Sequence, residues 1–508
     1  MLCAVVAVAV AVFARPAACQ LASASDRPTV KVIGGELRGV LKNGVASYKG
    51  IPFAAPPVGE LRWKAPQAVE PWEGVRAADR FGPAPMQPAL MATLQGADKM
   101  SEDCLYLNVW TAANNASERR PVMVWIYGGA YMLGATSARL YDGAAFARKG
   151  VVLVSVAYRV GPFGFLAHPE LGAENGGKGS GNYGIQDQIA ALRWVKANIA
   201  QFGGDPSRVT IFGESAGGTS VGILAASPAA RGLFHRAISE SGVLMLPATS
   251  RVAGEALGRK FLADLGAKDI RAARAMSADA VQKVKFAPSA VADDDTVVAD
   301  PYGRYLRGAF NDTPVLLGSN SDDGGMFAPP VHSPEEFENA VHKALGTAGV
   351  EQVLAAYPHG TNAEAARSGR EIVREMIFGW PAWTWARLQS EKGKGKAFLY
   401  YFDHGARPGE AGHASEIAFV FGNLGGLIGP AASPANLALS DTMMSYWINF
   451  AAQGDPNGHG LPPWPAFDPA TMNTMIFATT PQAGVIPNLE KLEAVDACYA
   501  HRRNDQRK

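Results

Sequence analysis

The stretch RVTIFGESAGGTSVGILAA, residues 208–226, joins a strand-like run to a helix-like run through one sharp turn. Residues 208–213 (RVTIFG) predict a short buried strand, and the small residues after the turn predict a helix. Between them, Ser215 is the centre of a G-x-S-x-G pattern bounded by Gly213 and Gly217. Such a turn lifts the serine hydroxyl out of the sheet, and its glycines let neighbouring backbone pass close by. Ser215 is therefore a candidate nucleophile; without partners elsewhere it would be an idle serine in a glycine-rich turn.

Apolar β-branched runs alternate with helix-period segments from Val122 to the C-terminus. This alternation predicts an α/β protein with a mostly parallel central sheet flanked by helices. The predicted strands are residues 122–126, 151–156, 314–318 and 397–402, and the predicted helices are residues 185–199 and 441–452. Residues 251–301 are rich in alanine and charge and are expected to add helices to the sheet. No repeat or long linker divides the sequence, so one domain is expected.

A serine nucleophile needs a base to take its proton and an acid to orient that base. After a turn of this kind the partners follow in the order serine, acid, histidine. Asp323 follows a predicted strand in the run GSNSDDG, and His413 lies beyond the next one in the run AGHASE. Loops at the carboxyl ends of parallel strands can converge at one edge of a sheet. Asp323 and His413 are the candidate acid and base, with Asp322 and His404 as the alternatives.

Attack on a carbonyl group also needs backbone N–H donors for the negative charge that develops on its oxygen. The run YGGA, residues 127–130, follows the predicted strand 122–126 and is a candidate loop for this purpose. The N–H group of Ala216, directly after Ser215, completes the set. A plain Gly-Gly turn is the alternative interpretation of the loop.

The first residues predict a targeting segment. Residues 1–14 (MLCAVVAVAVAVFA) are nearly all apolar but are shorter than the ~20 residues that span a bilayer, so no membrane span is expected. They suit the apolar core of a signal peptide at residues 1–24, cleaved after Ala24, although a basic start is missing. Lipid attachment at Cys19 is the second alternative. The mature protein, residues 25–508, is therefore expected to be secreted or periplasmic.

The composition excludes several classes of protein. The chain has 508 residues and is 48% hydrophobic, so it can bury a large core and is not disordered. Its 47 Lys and Arg against 46 Asp and Glu give a net charge of +1, which provides no global field to hold a nucleic acid. No His, Cys and Asp cluster has metal-ligand spacing, and no cofactor is expected. Cys104 and Cys498 are expected to be buried free thiols, although the sequence does not decide whether they pair.

Five motifs resemble those of one enzyme family. They are YKGIPFA (residues 48–54), EDCLYLNV (102–109), GNYGIQDQ (181–188), FGESAGG (212–218) and FVFG (419–422). On these motifs the chain resembles the type-B carboxylesterases of the cholinesterase and para-nitrobenzyl esterase family over nearly all of its mature length. The resemblance implies an α/β-hydrolase fold with large insertions, formed by residues 25–508 as a single catalytic domain. It also implies hydrolysis of small-molecule carboxylic esters through an acyl-enzyme intermediate, without a cofactor.

The resemblance assigns roles to individual residues. It implies that Ser215 is the nucleophile, His413 the base and Asp323 the acid. It implies that the oxyanion donors are the N–H groups of Gly129, Ala130 and Ala216. The residues expected to lie around the histidine and to help fix its position are Ser241, Glu416 and Glu214.

The sequence also departs from the family pattern. Asp323 stands where the family more often has Glu, which is one methylene longer but has the same chemistry. Pro85 stands where the family has the cysteine that pairs with the counterpart of Cys104, so that disulfide is expected to be absent. Leu94 and Met326 fall where cholinesterases place aromatic rings, and a cation needs such ring faces. Neutral esters of short to medium acids are therefore expected to be better substrates than choline esters.

The sequence leaves two alternatives to ester hydrolysis. The first is a catalytically silent adhesion or binding protein, because the family includes neuroligin-like members that lost the serine; the presence of Ser215, Asp323 and His413 argues against it. The second keeps these three residues but acts as an acyltransferase, amidase or lipase. The sequence identifies no hydrophobic lid, and it predicts no oligomeric state.

Overall fold

The computed structural model describes residues 28–425 and 430–505. The predicted signal peptide, its cleavage site after Ala24 and the lipid-attachment alternative at Cys19 lie outside these residues. Among the helices that are described, none combines the length and the apolar character needed to cross a membrane.

The described residues contain fourteen strands. In chain order they are β1 Thr29–Val32, β2 Gly35–Arg38, β3 Val40–Lys42, β4 Val45–Pro52, β5 Val75–Ala77, β6 Tyr106–Thr111, β7 Arg120–Ile126, β8 Val152–Val156, β9 Gly204–Glu214, β10 Arg236–Glu240, β11 Val315–Asn320, β12 Ala397–Phe402, β13 Asn473–Phe477 and β14 Gln482–Val485.

Eleven of these strands form one mixed sheet in the order β14-β13-β12-β11-β10-β9-β7-β8-β6-β4-β3. The central strands, from β13 to β8 in this order, are all parallel, whereas the pairs at the two edges are antiparallel. The predicted mostly parallel central sheet is therefore confirmed. Strands β1, β2 and β5 form a separate three-stranded sheet.

The longer connections are helical. The α-helices are α1 Ala89–Leu94, α2 Ala144–Arg148, α3 Gly161–Phe165, α4 Pro169–Glu174, α5 Tyr183–Asn198, α6 Ala216–Ala226, α7 Arg251–Leu265, α8 Ile270–Arg274, α9 Ala278–Lys283, α10 Pro301–Leu306, α11 Pro334–Leu345, α12 Val350–Ala356, α13 Asn362–Arg374, α14 Trp380–Lys392, α15 Ile417–Phe421, α16 Pro434–Gln453 and α17 Leu489–Asp505. Short 3-10 turns occur at Gly59–Leu61, Ala116–Glu118, Arg139–Tyr141, Ile199–Phe202 and Pro228–Ala230, and a π-helical turn, Glu375–Gly379, joins α13 to α14.

The central strands are covered on both faces. Every residue of β8 and of β11 is buried, which requires packing on both sides of the sheet. Helices α5, α6, α14 and α16 pack against the parallel strands. Cys104 and Cys498 are buried, and neither forms a disulfide within the described part of the chain.

The predicted strand–turn–helix around Ser215 is confirmed. Strand β9 ends at Glu214, and α6 begins at Ala216. The strand starts four residues earlier than predicted, because Gly204 already pairs with the first residue of β7. In the sheet, Glu214 at the end of β9 lies opposite Glu240 at the end of β10, so these carboxyl ends are level.

Two other predicted elements differ in extent. Helix α16 begins at Pro434 rather than residue 441, because the Ser433 side chain accepts the N–H of Asn436 and caps the helix there. In the region 251–301, helices α7 to α9 end at Lys283, and the residues that follow are not helical until α10.

Candidate active site

Ser215 occupies a strained turn between β9 and α6. Its backbone has φ 57° and ψ −122°, a left-handed conformation that is costly for a residue with a side chain. The turn is held in place because the Ser215 N–H donates to the carbonyl oxygen of Glu240 at 2.9 Å. The strained backbone conformation therefore places the Ser215 side chain above the end of the sheet.

The glycines around Ser215 allow close passage of backbone. A Cβ at Gly217 would overlap the carbonyl oxygen of Ile126, and one at Gly213 would lie 2.5 Å from the same oxygen. A Cβ at Gly128 would lie 2.7 Å from the carbonyl oxygen of Glu214. The end of β7 and the turn at Ser215 can therefore touch only because these positions lack side chains.

Asp323 is fully buried near the start of the loop after β11. Its Oδ2 accepts the backbone N–H of Asn320 at 2.6 Å and the hydroxyl of Ser241 at 2.9 Å. Its Oδ1 lies 2.8 Å from His413 Nδ1. The carboxylate is thus fixed by two donors on one oxygen and faces the histidine with the other.

The alternative acid and base lie elsewhere. The Asp322 side chain is partly exposed and lies 3.8 Å from Arg370 Nε. His404 Nε2 lies 2.8 Å from Asn436 Oδ1. The structure therefore brings His413 together with Asp323, and it places Asp322 and His404 outside that contact.

The other nitrogen of His413 faces a glutamate. His413 Nε2 lies 3.1 Å from Glu214 Oε1, and no hydrogen bond joins Ser215 Oγ to the imidazole among the described residues. The three residues predicted to help fix His413 thus contact different partners. Ser241 bonds to Asp323, Glu214 meets the imidazole directly, and buried Glu416 accepts the Asn320 side-chain amide.

Buried acids surround His413 and Glu214, and the pKa values of both residues are raised. Burial raises the pKa of Glu214, an effect that the nearby positive charge of His413 opposes. Burial also raises the pKa values of Glu416 and Glu240. For His413, burial lowers the pKa, but the negative charges of Glu214, Asp323 and Glu416 and the hydrogen bond to Asp323 outweigh it and raise the pKa above its ordinary value.

The loop after β7 exposes backbone donors beside Ser215. Gly129 has φ 105° and Ala130 has φ 55°, and the Met132 N–H donates to the carbonyl oxygen of Gly129 at 2.9 Å. The N–H groups of Gly129 and Ala130 bond to no other group in the described part of the chain. Ala216 is the first residue of α6, where backbone N–H groups have no partner within the helix. The N–H groups of all three predicted oxyanion donors are therefore available near the turn at Ser215.

A cavity of about 370 Å³ opens beside Ser215, Ala130 and Ala216. Within the described residues none of its lining side chains carries a charge, and three of them are aromatic: Tyr131, Phe327 and Phe378. The rings of Phe327 and Phe378 each lie 4.9 Å from the His413 ring. The site is therefore an apolar chamber with a polar edge.

Phe327 and Phe378 are functional candidates that the sequence interpretation missed. Phe327 lies four residues after Asp323 in a loop, and no sequence pattern singles it out. Phe378 lies in the π-helical turn, for which the sequence has no clear signal. Leu94 and Met326, the positions compared with cholinesterase rings, are 57% and 73% exposed and do not line the cavity.

The described ranges contain no group of three or more His, Cys, Asp or Glu side chains placed to hold a metal ion. The polar groups near Ser215 instead suit proton transfer and binding of a negatively charged oxygen.

Comparison with known proteins identifies the family. The sequence profile of the carboxylesterase family matches residues 26–495. The chain is 39% identical to the para-nitrobenzyl esterase of Bacillus subtilis (strain 168) over 472 residues, which cover 87% of this chain and 93% of that protein. It is 34% identical to the fumonisin B1 esterase of Sphingopyxis macrogoltabida, with 85% and 83% of the two chains covered.

Solved structures agree with the sequence matches. A PNB esterase structure superposes with a TM-score of 0.82 at 36% identity, covering 92% of this chain and 99% of that one. A Geobacillus stearothermophilus carboxylesterase superposes with a TM-score of 0.81 at 34% identity and the same coverage. The α/β-hydrolase fold implied by the motifs is thus confirmed. Matches of this extent in sequence and structure show that the chain belongs to the carboxylesterase family.

Proposed function

We propose that this carboxylesterase hydrolyses neutral esters by acylation of Ser215, with His413 as the general base and Asp323 as the acid that orients it. The observation that carries the proposal is the 2.8 Å contact between Asp323 Oδ1 and His413 Nδ1 in a buried setting. This contact keeps the ring proton on Nδ1 and leaves Nε2 free to accept a proton. The alternative of a silent binding protein has no comparable support.

In the first half-reaction, Ser215 Oγ attacks the ester carbonyl carbon while His413 Nε2 takes the hydroxyl proton. The carbonyl oxygen gains negative charge and receives the N–H groups of Gly129, Ala130 and Ala216. The bond to the alcohol oxygen then breaks, and His413 passes its proton to that oxygen. The alcohol leaves, and the acyl group stays on Ser215.

In the second half-reaction, a water molecule takes the place of the alcohol. His413 accepts a proton from the water as its oxygen attacks the acyl carbon, and then returns the proton to Ser215 Oγ as the acid departs. Both steps require Nε2 to turn from Glu214, 3.1 Å away, towards Ser215. Catalytic hydrogen bonds of this kind are often long or poorly aligned until substrate is present.

The preference for neutral esters is supported by the uncharged cavity lining. A choline group would find no carboxylate among the described residues that line it, and two of the three aromatic rings in that lining, Phe327 and Phe378, are already packed against the His413 ring. We also propose that residues 25–508 form one catalytic domain and that the protein is secreted or periplasmic after cleavage behind Ala24. N-terminal sequencing of the exported protein tests the cleavage site and separates it from lipid attachment at Cys19.

The central experiment is covalent labelling of the nucleophile. An organophosphate should modify the wild-type protein on Ser215, as read by peptide mass spectrometry. The Ser215→Ala variant should keep its fold and lose turnover by at least ~10³-fold, because the three residues act as a unit. Labelling at another residue, or substantial activity in the alanine variant, would show that the assignment is wrong.

A further inference from the structure

The junction between α13 and the π-helical turn contains a buried ion pair. Arg374 is the last residue of α13, and Glu375 is the first residue of the turn. Their side chains are 7% and 2% exposed. Arg374 Nη2 and Nε both donate to Glu375 Oε1, at 2.6 and 3.1 Å. Two residues that are neighbours in the chain thus place opposite charges together inside the protein.

The remaining nitrogen of this guanidinium reaches the loop of the catalytic acid. Arg374 Nη1 donates to the carbonyl oxygen of Ser321. Ser321 lies directly after β11 and two residues before Asp323. The same loop packs tightly on α13, since a Cβ at Gly324 would lie 2.1 Å from the carbonyl oxygen of Arg370. The end of α13 is therefore bonded to the loop that carries the acid.

That loop is bonded in turn to the segment that carries the histidine. The Ser321 hydroxyl oxygen accepts the Ala411 N–H at 3.0 Å, and the Asp322 N–H donates to the Ala411 carbonyl oxygen at 2.8 Å. Ala411 lies two residues before His413. These bonds therefore fix the spacing of the two segments whose side chains meet in the 2.8 Å contact between Asp323 and His413.

The carboxylate of the ion pair stands at the start of the turn that carries Phe378. Glu375 begins this turn, and Phe378 follows three residues later. The Phe378 ring lies 4.9 Å from the His413 ring. π-Helical turns are rare and frequently occur at functional sites. The ion pair thus joins two neighbours of the histidine, the acid at its Nδ1 atom and the aromatic ring beside it.

We infer that Arg374 is a positioning residue that fixes the geometry at which Asp323 meets His413. It acts through the Ser321 carbonyl oxygen on one side and through Glu375 on the other. A guanidinium suits this task because its planar fork directs several N–H groups at once, whereas an ammonium group is a single point charge. The inference rests on the proposed roles of Asp323 and His413 and adds a residue that touches neither substrate nor the reacting atoms.

The test replaces the ion pair by apolar side chains, Arg374→Met together with Glu375→Leu. Removing both charges leaves no unpaired charge in the core, so the protein should still fold. A displacement of about 1 Å at a catalytic group can cost ~10²-fold in rate, and we expect a loss of that size with a 4-nitrophenyl ester. The loss should fall mainly on kcat, because neither side chain is among the described residues that line the cavity.

The pH profile of the double variant separates positioning from a purely structural role. Three carboxyl groups face His413: Glu214 at the end of β9, Asp323 after β11 and Glu416 before α15. Their negative charges and the hydrogen bond from Asp323 raise the pKa of His413. A looser contact with Asp323 should therefore move the rising limb of kcat/KM to lower pH. The double variant keeps the net charge, and a loss of folded protein alone would leave the limb in place.

Arg62→Met together with Glu102→Leu is a matched control. These two residues form another buried ion pair, with side chains 6% and 11% exposed, and Arg62 donates to the carbonyl oxygens of Ala273 and Met276. This variant should leave kcat and the rising limb unchanged. Arg374→Lys keeps the charge but not the planar fork, so its kcat should lie between those of the wild type and the double variant. If thermal denaturation shows that the double variant does not fold, the shift of the limb is measured in Arg374→Lys.

The outcomes distinguish this inference from the proposed function. An unchanged kcat and an unchanged rising limb in the folded double variant, with organophosphate still labelling Ser215, would overturn the role of Arg374 and keep the nucleophile. A fall in kcat without a shift of the limb would also overturn that role. Absence of the label on Ser215 in the wild type would overturn the proposed function, and the inference with it.

Discussion

The Asp323→Asn variant probes how the acid orients the histidine. Two groups, the Asn320 N–H and the Ser241 hydroxyl, donate to Asp323 Oδ2. In the variant these donors select the amide oxygen for that position, which turns the amide NH₂ group towards His413 Nδ1. An NH₂ group can only donate, so Nδ1 becomes the acceptor and the ring proton moves to Nε2. The imidazole can then no longer accept the proton of Ser215.

The loss in kcat should approach ~10⁴-fold, the effect of the same change in the Ser-His-Asp triad, equivalent to about 5 kcal/mol of activation free energy. Asp322→Asn is the matched control. Its carboxylate is partly exposed and 3.8 Å from Arg370, so the lost interaction is worth about 0–1 kcal/mol and kcat should fall less than ~fivefold. Asp323→Glu, which keeps the carboxylate, should retain more activity than Asp323→Asn.

The assay is kcat and KM for a neutral 4-nitrophenyl ester at fixed pH, with thermal unfolding measured for each variant. We expect Asp323→Asn to lose most of its kcat while its unfolding temperature stays close to that of the wild type. A severe loss in Asp322→Asn together with a mild one in Asp323→Asn would refute it.

Three further predictions concern the base, its pKa and the substrate. His413→Ala should reduce kcat at least ~10³-fold and His404→Ala should not; the opposite ranking would move the base to His404. Because nearby negative charge raises the pKa of His413, the rising limb of kcat/KM should lie above pH ~6.5, and activity is lost as pH falls through that pKa. Glu214→Gln removes one such charge and should move the rising limb of the kcat/KM profile to lower pH. A rising limb at the same or a higher pH would contradict this. A neutral butyryl thioester should exceed butyrylthiocholine in kcat/KM, and a clear choline preference would reveal a cation site elsewhere.

The sequence predicted the centre of the fold well, because the signals there are local. A buried parallel strand is a continuous apolar run, and the prediction at residues 397–402 coincides with β12. The turn at Ser215 was visible because its glycines are required by close backbone contacts. Asp323 and His413 could be proposed because carboxyl ends of parallel strands converge, whatever their distance along the chain.

What could not be predicted depends on tertiary contacts. The two aromatic rings on His413 come from a loop and from the π-helical turn Glu375–Gly379, and no hydrophobic period points to either. His413 Nε2 faces Glu214, and this side-chain orientation cannot be predicted from the distance between the two residues along the sequence. The non-helical residues after α9 line the cavity, although their composition suggested helix.

His413 and the buried acids around it affect each other's pKa, and this mutual effect matters for catalysis. Burial raises the pKa of Glu214 and of Glu416, because it disfavours adjacent negative charges around His413. The positive charge of His413 lowers the pKa of both. A positive charge on His413 and negative charges on these two carboxyl groups therefore stabilise each other. When His413 takes the serine proton, Glu214 and Glu416 thus stabilise the imidazolium in addition to Asp323.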